Sequence, residues 1–347
     1  MQFVKPDINI NFIGKKNIAF AFSLLLILAS IGSLIINNGP RYGIDFKGGT
    51  LIQIQFSTPP DIGDIKKGLG NLGIAQSSVQ TFGDAADNEF LIRTDSSNIT
   101  GDGFNDRLTK AIGDAVGQNP EIRRVEMVGP QVGKDLREKA LLAMFFSLLF
   151  ITVYISWRFE LKLEVAAITA AALFGVVWFL KGLSTDMSMH WLIIGALLVS
   201  MVLFWFLELK FAMGAIVALI HDVTITVGVF SIFGKEFTLP IIAALLTIIG
   251  YSLNDTIIVF DRIRENQRKL HRDPLEHIIN RSINETLSRT LLTSLTTLMV
   301  LITLFVLGGG IIHNFAFAMI IGVLIGTYSS IYVASPVLLA WQTRKGG

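Results

Sequence analysis

The chain has 347 residues, 52% of them hydrophobic, and its mean hydropathy is +0.59. Soluble globular chains carry more charge and lack repeated long apolar runs, so this composition predicts an integral membrane protein. The formal net charge of +2 indicates no nucleic-acid partner, and the absence of cysteine excludes disulfides, thiolate catalysis and cysteine-based metal sites.

The N-terminus predicts a retained membrane span. Lys15 and Lys16 precede an apolar run over residues 18–36, which is longer than the apolar region of a typical signal peptide. No A-x-A cleavage site follows the run. Residues 1–36 are therefore predicted to form a cytoplasmic N-terminus and the first transmembrane helix.

Residues 37–137 form a polar block in which short segments have the periodicities of a soluble domain. Their order, β-α-β-β-α-β, is that of a ferredoxin-like unit, in which two helices cover one face of an antiparallel sheet. The sequence predicts strands at 43–57, 77–83, 88–95 and 121–129 and helices at 61–74 and 104–116.

Two glycine-containing segments bracket this block, GIDFKGGT from residue 43 and GPQVGKDL from residue 129. Gly48 and Gly49 do not belong to a Walker phosphate-binding loop, because the G-x-x-x-x-G-K-[ST] pattern is absent. We interpret these glycines as serving a bulge or a close approach of two backbones.

The remainder, 138–347, is predicted to be a transmembrane bundle of seven further spans. Their apolar runs lie at about 140–156, 164–181, 190–207, 211–232, 239–260, 289–307 and 314–341.

WRFELKLEVAA at 157 and WFLELKFAMGA at 205 share an E-L-K core, so a local duplication or a chance similarity is possible. The segment between them, about 160–210, reads as an extra helical hairpin. Gly322 and Gly326 in the last span form a small-residue packing face.

Lysine and arginine in the short loops predict the orientation, because they concentrate on the cytoplasmic side. The opposite loops at 182–190, 233–238 and 308–313 contain only Lys235. Both termini are therefore expected in the cytoplasm and residues 37–137 outside. The cytoplasmic set comprises Lys5, Lys15, Lys16, Arg158, Lys162, Lys210, Arg262, Arg264, Arg268, Lys269, Arg272, Arg281, Arg344 and Lys345. Its dense run near residue 264 favours contact with anionic membrane lipids or docking of a cytoplasmic partner.

Asp255 is the main candidate for chemistry, because it lies inside the apolar span 239–260. An acidic residue near the centre of a spanning helix costs roughly 2.5–3.5 kcal/mol, so such groups usually face a bundle interior and have a partner. One interpretation is a proton or ion site that includes the neighbouring Asn254 and Thr256. The other is a solvated or paired carboxylate that only holds the bundle together.

Two further groups lie in membrane-level segments. Arg289 opens the next span on the same side and either pairs with Asp255 or extends outward at the boundary. His221 and Asp222 lie near the middle of the fifth span. They form either part of a proton relay or a buried pair whose hydrogen bonds are made by neighbouring groups. No further ligand lies at metal-binding spacing, so neither a metal nor a cofactor is expected.

Hydrolase, zinc-protease and Walker motifs are absent, so no enzymatic activity is expected. Any energy that the protein uses then comes from an ion gradient or from a partner.

Several segments together resemble SecF proteins, the protein-export membrane subunits of the SecD/SecF family in the resistance-nodulation-division (RND) superfamily. They are GIDFKGGT after the first span, VGPQVG before the second, LIHDV in a middle span, and GYSLNDTIIVFDRIREN followed by SINETLSRTLLTSLTT. The last pair is the most specific of them.

The resemblance implies an α-helical polytopic membrane protein, an RND-like half bundle, with one periplasmic α+β ferredoxin-like domain in the bacterial inner (plasma) membrane. It implies SecD, the SecYEG channel, YajC and the translocating preprotein as partners. It also implies that the proton-motive force moves the periplasmic domains to promote preprotein translocation. By position in the motif, Asp255 would accept the proton and Arg289 would be its basic partner.

The chain departs from the family pattern at about 160–210, where a short cytoplasmic turn is normal, and the expected six spans become eight. A proton-coupled RND-type exporter of small molecules is the alternative function. Such pumps usually carry two large periplasmic domains on a chain about three times longer. A purely structural scaffold for the translocon is a third possibility.

Overall fold

The computed structural model describes residues 8–83, 87–95, 103–160, 163–183 and 189–343. Long helices form a bundle, and a small α/β domain, here called the outer domain, is inserted between the first two long helices. The elements are α1 Lys16–Ile36, α2 Ile44–Lys47, β1 Gly49–Gln55, α3 Ile62–Asn71, β2 Ser78–Phe82, β3 Glu89–Thr94, α4 Phe104–Val116, β4 Glu121–Val128, α5 Pro130–Glu160, α6 Leu163–Leu183, α7 Met189–Phe206, α8 Lys210–Ile232, α9 Leu239–Lys269, α10 Leu275–Leu307, α11 Gly309–Ser329 and α12 Ser335–Thr343.

The outer domain has the predicted β-α-β-β-α-β order. Its sheet is antiparallel with strand order β2-β3-β1-β4, and α3 packs against α4 on one face. Strand residues alternate between the two faces, so Ile52 and Ile54 of β1 point to the helices, where Ile65, Leu108 and Ile112 complete a fully buried core. Residues 84–86, between the predicted strands 77–83 and 88–95, lie outside the described residues.

The predicted strand at 43–57 is wrong in its first part. Residues 44–47 form the short helix α2, and β1 begins only at Gly49. Gly48 and Gly49 have φ angles of +79° and +119°, which reverse the chain between helix and strand. A Cβ on Gly49 would lie 2.6 Å from the Thr94 carbonyl oxygen. The predicted close approach of backbones is therefore confirmed.

Six of the described helical segments are long and apolar enough to cross a membrane, which makes the chain a multi-pass membrane protein. They are Ile13–Ile36, Pro130–Phe159, Lys210–Ile232, Leu239–Lys269, Leu275–Leu307 and Ile312–Gln342. Helices α6 and α7, with 21 and 18 residues, occupy the predicted extra hairpin. That this pair also crosses the membrane stays a prediction.

The long helices pack closely where small residues allow it. Gly322 and Gly326 of α11 face Ile248 and Ser252 of α9, and a Cβ on Gly326 would lie 2.9 Å from the Ser252 Cβ. This confirms the predicted packing face. A single π-helical turn at Ser330–Ala334 separates α11 from α12.

Three helices extend past the predicted spans. Helix α5 starts at Pro130, so the last residues of the predicted 37–137 domain belong to it. Helices α9 and α10 continue beyond the bundle at the end opposite the outer domain, where the Asn266 side-chain amide donates to Ser282 Oγ at 3.0 Å. Arg262 Nε donates to Glu285 Oε2 at 2.6 Å in the same region.

The N-terminal segment is bound to α10 by two asparagines one turn apart. Asn280 Oδ1 accepts from the Phe12 amide at 2.8 Å, and Asn284 Oδ1 accepts from the Ile10 amide at 2.9 Å. Both side-chain amides donate to the Ile10 carbonyl oxygen. The start of α1 is thereby attached to the helix that carries Arg289.

We expect Gly49→Ala to destabilise the outer domain more than Gly73→Ala does. Gly73 also has a positive φ, +76°, but a Cβ there meets nothing within 4 Å, so its cost is conformational strain of about 1 kcal/mol. Gly49→Ala adds a collision with the Thr94 carbonyl and should cost at least about 2 kcal/mol. Protease resistance of the purified protein against temperature measures this, and equal losses for the two variants would contradict it.

Candidate functional site: the buried acidic groups of the bundle

Asp255 is buried on α9 without a hydrogen-bond partner. The residue is 1% exposed, and neither carboxylate oxygen accepts a hydrogen bond from the described residues. The apolar residues Ile248, Val259 and Phe260 of the same helix are also buried. Burial of an uncompensated carboxylate is costly, because nothing replaces the water that would solvate its charge.

Arg289 of α10 is the nearby positive group that the sequence predicted. Its charge acts on Asp255, but no salt bridge within 4.0 Å joins Arg289 to a described acidic residue, and Arg289 itself is exposed. The guanidinium therefore stabilises the ionised carboxylate through space and does not neutralise it by direct contact.

Ser294, on the next turn of α10, has its hydroxyl beside the Asp255 carboxylate, but the two groups do not have hydrogen-bond geometry. Thr327 Oγ1 donates its one proton to the Val323 carbonyl oxygen at 2.7 Å. Ser294 Oγ must then be the donor in its 2.6 Å bond to Thr327 Oγ1. The Ser294 oxygen keeps acceptor capacity, so a protonated Asp255 has a hydrogen-bond acceptor nearby.

Asn254 and Thr256, the other predicted members of this site, do not hydrogen-bond to the carboxylate. Thr256 is buried and its hydroxyl donates to the Ser252 carbonyl oxygen of the preceding turn at 3.4 Å. Asn254 is exposed on the surface of the bundle. Thr290, next to Arg289, has a buried hydroxyl without a partner among the described residues and was missed from the sequence.

His221 and Asp222 form a second, different arrangement on α8. His221 Nδ1 lies 2.8 Å from Asp222 Oδ1, and Asp222 Oδ2 accepts from Ser329 Oγ at 2.7 Å and from Ser252 Oγ. The carboxylate therefore has donors from three helices, α8, α9 and α11. It is as buried as Asp255 but fully satisfied.

The histidine continues the network to α1. His221 Nε2 lies 3.1 Å from Ser23 Oγ, which lies 3.0 Å from the Tyr328 hydroxyl. That hydroxyl donates to the Ala19 carbonyl oxygen at 2.8 Å, so the network joins α8 to both α1 and α11. The pair and the Asp255 site are separate clusters with Ser252 of α9 between them.

Sequence reasoning found the acidic groups but missed their hydroxyl partners. Serine and threonine inside apolar runs usually bond to their own helix, as Thr226 does, so type and spacing do not reveal which of them reach another helix. The only available signal was the helical spacing of Thr286, Thr290 and Ser294, which places these hydroxyls on one buried face of α10. Within the described residues, no three His, Asp or Glu side chains converge as metal ligands.

Fold and site together define a class of protein: an α-helical multi-pass membrane protein with one ferredoxin-like domain after its first span and titratable groups inside its bundle. The family model "Protein export membrane protein SecD/SecF, C-terminal" matches residues 108–199 and 182–344, and the model "SecD/SecF GG Motif" matches residues 33–60. The chain belongs to the SecD/SecF family of protein export membrane proteins.

Relatives support this assignment along almost the whole chain. The chain is 43% identical over 343 residues to the protein translocase subunit SecF of Magnetococcus marinus, covering 98% of this chain and 94% of that one. It is 37% identical over 331 residues to that of Pseudomonas aeruginosa, covering 95% and 90%. The sequence-based resemblance is therefore confirmed.

A crystal structure of SecDF from Thermus, described as a translocon-associated membrane protein, has a TM-score of 0.72 at 31% identity. This supports the RND-like fold. The match covers 99% of this chain but 40% of that chain, so the present chain corresponds to less than half of SecDF. The two ranges of the first family model overlap at 182–199, inside the predicted extra hairpin.

We expect the same substitution to have opposite effects on stability at the two acids. In Asp222→Asn, an amide NH₂ replaces an oxygen that accepts hydrogen bonds from surrounding donors, so the bundle should lose about 1–3 kcal/mol. Asp255→Asn removes a buried charge without breaking a hydrogen bond and should leave stability unchanged or raise it. Thermal unfolding of both purified variants in one detergent measures this, and a larger loss for Asp255→Asn would contradict it.

Proposed function

We propose that the chain is the SecF-like subunit of an accessory complex of the Sec protein translocase. With SecD it uses the proton-motive force to promote preprotein translocation through SecYEG, and Asp255 is the proton-accepting group on this half. The observation that carries the proposal is the buried carboxylate of Asp255, which lacks a hydrogen-bond partner and lies near Arg289.

The chemistry of the site suits a change of protonation. The ionised state is stabilised by the Arg289 charge, whereas the neutral state is able to donate a hydrogen bond to Ser294 Oγ. Each state thus has a different partner on α10, and a proton that arrives or leaves changes how α9 and α10 attract each other. A ligand or proton moves an equilibrium only through such a difference in interaction.

The available energy is sufficient. One elementary charge crossing 100 mV releases about 2.3 kcal/mol, which changes the ratio of two conformations roughly fiftyfold. This is enough to bias a movement of the outer domain between two positions.

Exposed polar groups support SecD as the partner. Arg289 and Asn254 lie in long apolar helices yet are exposed on the bundle surface of this chain. Contact with lipid tails would be costly for both, so this face suits a second protein half that covers it. SecDF holds more than twice the sequence of this chain, and SecD would supply that half together with a further carboxylate.

The His221–Asp222 pair suits an anchoring role better than proton transfer. All of its polar atoms have partners, so a proton that enters it must break bonds between α1, α8, α9 and α11. In this proposal it holds the helices around Asp255 in register.

We place the protein in the bacterial inner membrane with both termini in the cytoplasm and the outer domain in the periplasm. The lysine and arginine distribution in the short loops supports this orientation. The Lys- and Arg-rich end of α9 would then meet cytoplasmic lipid headgroups.

We expect Asp255→Asn to reduce the stimulation of preprotein export by the proton-motive force about tenfold or more. The complex with SecD should still assemble normally. Translocation into inverted vesicles, with and without an uncoupler, measures the stimulation. Asp261→Asn is the matched control, because Asp261 is on the same helix but is paired with Arg158 outside the site. Undiminished export in Asp255→Asn would favour a scaffold, and altered drug sensitivity with normal export would favour a small-molecule exporter.

Because the chain lacks cysteine, single cysteines are able to report the orientation. We expect Lys110→Cys, exposed on α4 of the outer domain, to react with a membrane-impermeant maleimide once the outer membrane is opened. Lys269→Cys, exposed at the far end of α9, should react only after the inner membrane is permeabilised. Labelling of Lys269→Cys in spheroplasts would contradict the orientation.

A further inference from the structure

Three distant segments meet where the outer domain joins the bundle. They are residues 41–48 before β1, residues 129–133 around the start of α5, and residues 236–239 around the start of α9. We call this meeting point the joint. Tyr42 and Phe237 form a parallel backbone bridge, in which the Gly43 amide donates to the Phe237 carbonyl oxygen at 2.8 Å and the Phe237 amide donates to the Arg41 carbonyl oxygen at 2.7 Å.

Asp45 supplies a missing cap to α9 at the joint. The first amides of a helix have no partner within the helix, and a side chain usually provides one. Thr238, at the N-cap position of α9, makes no such bond. Asp45 Oδ2 accepts from the Leu239 amide at 2.9 Å, across 194 positions of sequence. Its negative charge also suits the positive end of the helix dipole.

Two glycines of the joint are in close contact with neighbouring segments. A Cβ on Gly133 would lie 2.8 Å from the Gly48 amide nitrogen, and a Cβ on Gly43 would lie 2.9 Å from Thr238 Cγ2. At Gly133 the backbones of two segments therefore touch directly. An ion pair between Arg93 on β3 and Glu236 adds a link from the sheet to the segment before α9.

The same helix carries the joint at one end and Asp255 inside it. Helix α9 is continuous from Leu239 to Lys269, and Asp255 lies 16 residues after Leu239, about 24 Å along the axis. A continuous helix resists bending, so a displacement near Asp255 is transmitted to its N-terminus. The outer domain contacts that N-terminus through Asp45.

We propose that Asp45 is a positioning residue that couples α9 to the outer domain, so that movement of α9 on protonation of Asp255 is passed to the domain. The inference rests on the proposed function and extends it by naming the mechanical link. Asp45 does not take part in proton transfer. Its role is to keep the helix and the domain together while they move.

The test uses spin labels on cysteine pairs in the complex with SecD, reconstituted in liposomes at pH 5 and pH 8. The pair Lys110→Cys with Leu307→Cys, called the domain pair, measures the distance between the outer domain and α10. The pair Lys269→Cys with Leu307→Cys, called the α9 pair, measures the distance between α9 and α10. All three positions are exposed. Asp45→Ala removes the cap. Asp45→Asn keeps it, because asparagine and aspartate cap equally well.

Asp61→Ala is the matched control. Asp61 caps α3 by accepting from the Gly63 amide at 2.6 Å, so this variant loses the same kind of bond without touching α9. We expect Asp45→Ala to retain the pH-driven change in the α9 pair and to reduce the change in the domain pair at least threefold. Asp45→Asn and Asp61→Ala should resemble the wild type in both pairs.

The inference would be overturned if the domain-pair distance in Asp45→Ala changed with pH as much as in the wild type. It would also be overturned if Asp45→Asn behaved like Asp45→Ala. Either result would leave the proposed function standing. A wild-type complex in which neither pair responds to pH would overturn both. If Asp45→Ala does not assemble, Asp45→Ser, which keeps a shorter acceptor, carries the same comparison and should give an intermediate domain response.

Discussion

The structure of the bundle depends on how it accommodates one carboxylate without a direct partner. Asp255 is buried among apolar residues of α9, and the groups that act on it, Arg289 and Ser294, both belong to α10. Neither completes its hydrogen bonding. A site that satisfied Asp255 fully would be more stable in one state and less able to change state, so the incomplete pairing is the property that a proton-responsive helix contact requires.

The second acid shows that environment, and not residue type, decides the role. Asp222 and Asp255 are equally buried, but Asp222 accepts from His221, Ser252 and Ser329 and so joins three helices. Ser252 belongs to α9 and lies one turn before Asp255. The same helix is therefore hydrogen-bonded to its neighbours at one turn and carries an unpartnered carboxylate, facing α10, at the next.

The inserted hairpin leaves this arrangement intact. Its helices α6 and α7 make their main contacts with each other and with α5 and α8, whereas the Asp255 site lies between α9 and α10. The outer domain approaches α9 from the other direction, through Asp45 and the Tyr42–Phe237 bridge. The hairpin therefore lies apart from both the Asp255 site and the contacts between α9 and the outer domain.

The amino-acid sequence by itself determined the membrane class, the order of elements in the outer domain and the identity of the buried acids, because hydropathy, strand alternation and a charge inside an apolar run are local properties. Tertiary structure alone decided that Asp222 is satisfied and Asp255 is not, since their hydroxyl neighbours come from other helices. Tertiary structure also decided that GIDFKGG begins as a helical turn and that Asp45 caps α9. A contact between segments almost two hundred residues apart does not change the sequence periodicity of either segment, so it is not predictable from that periodicity.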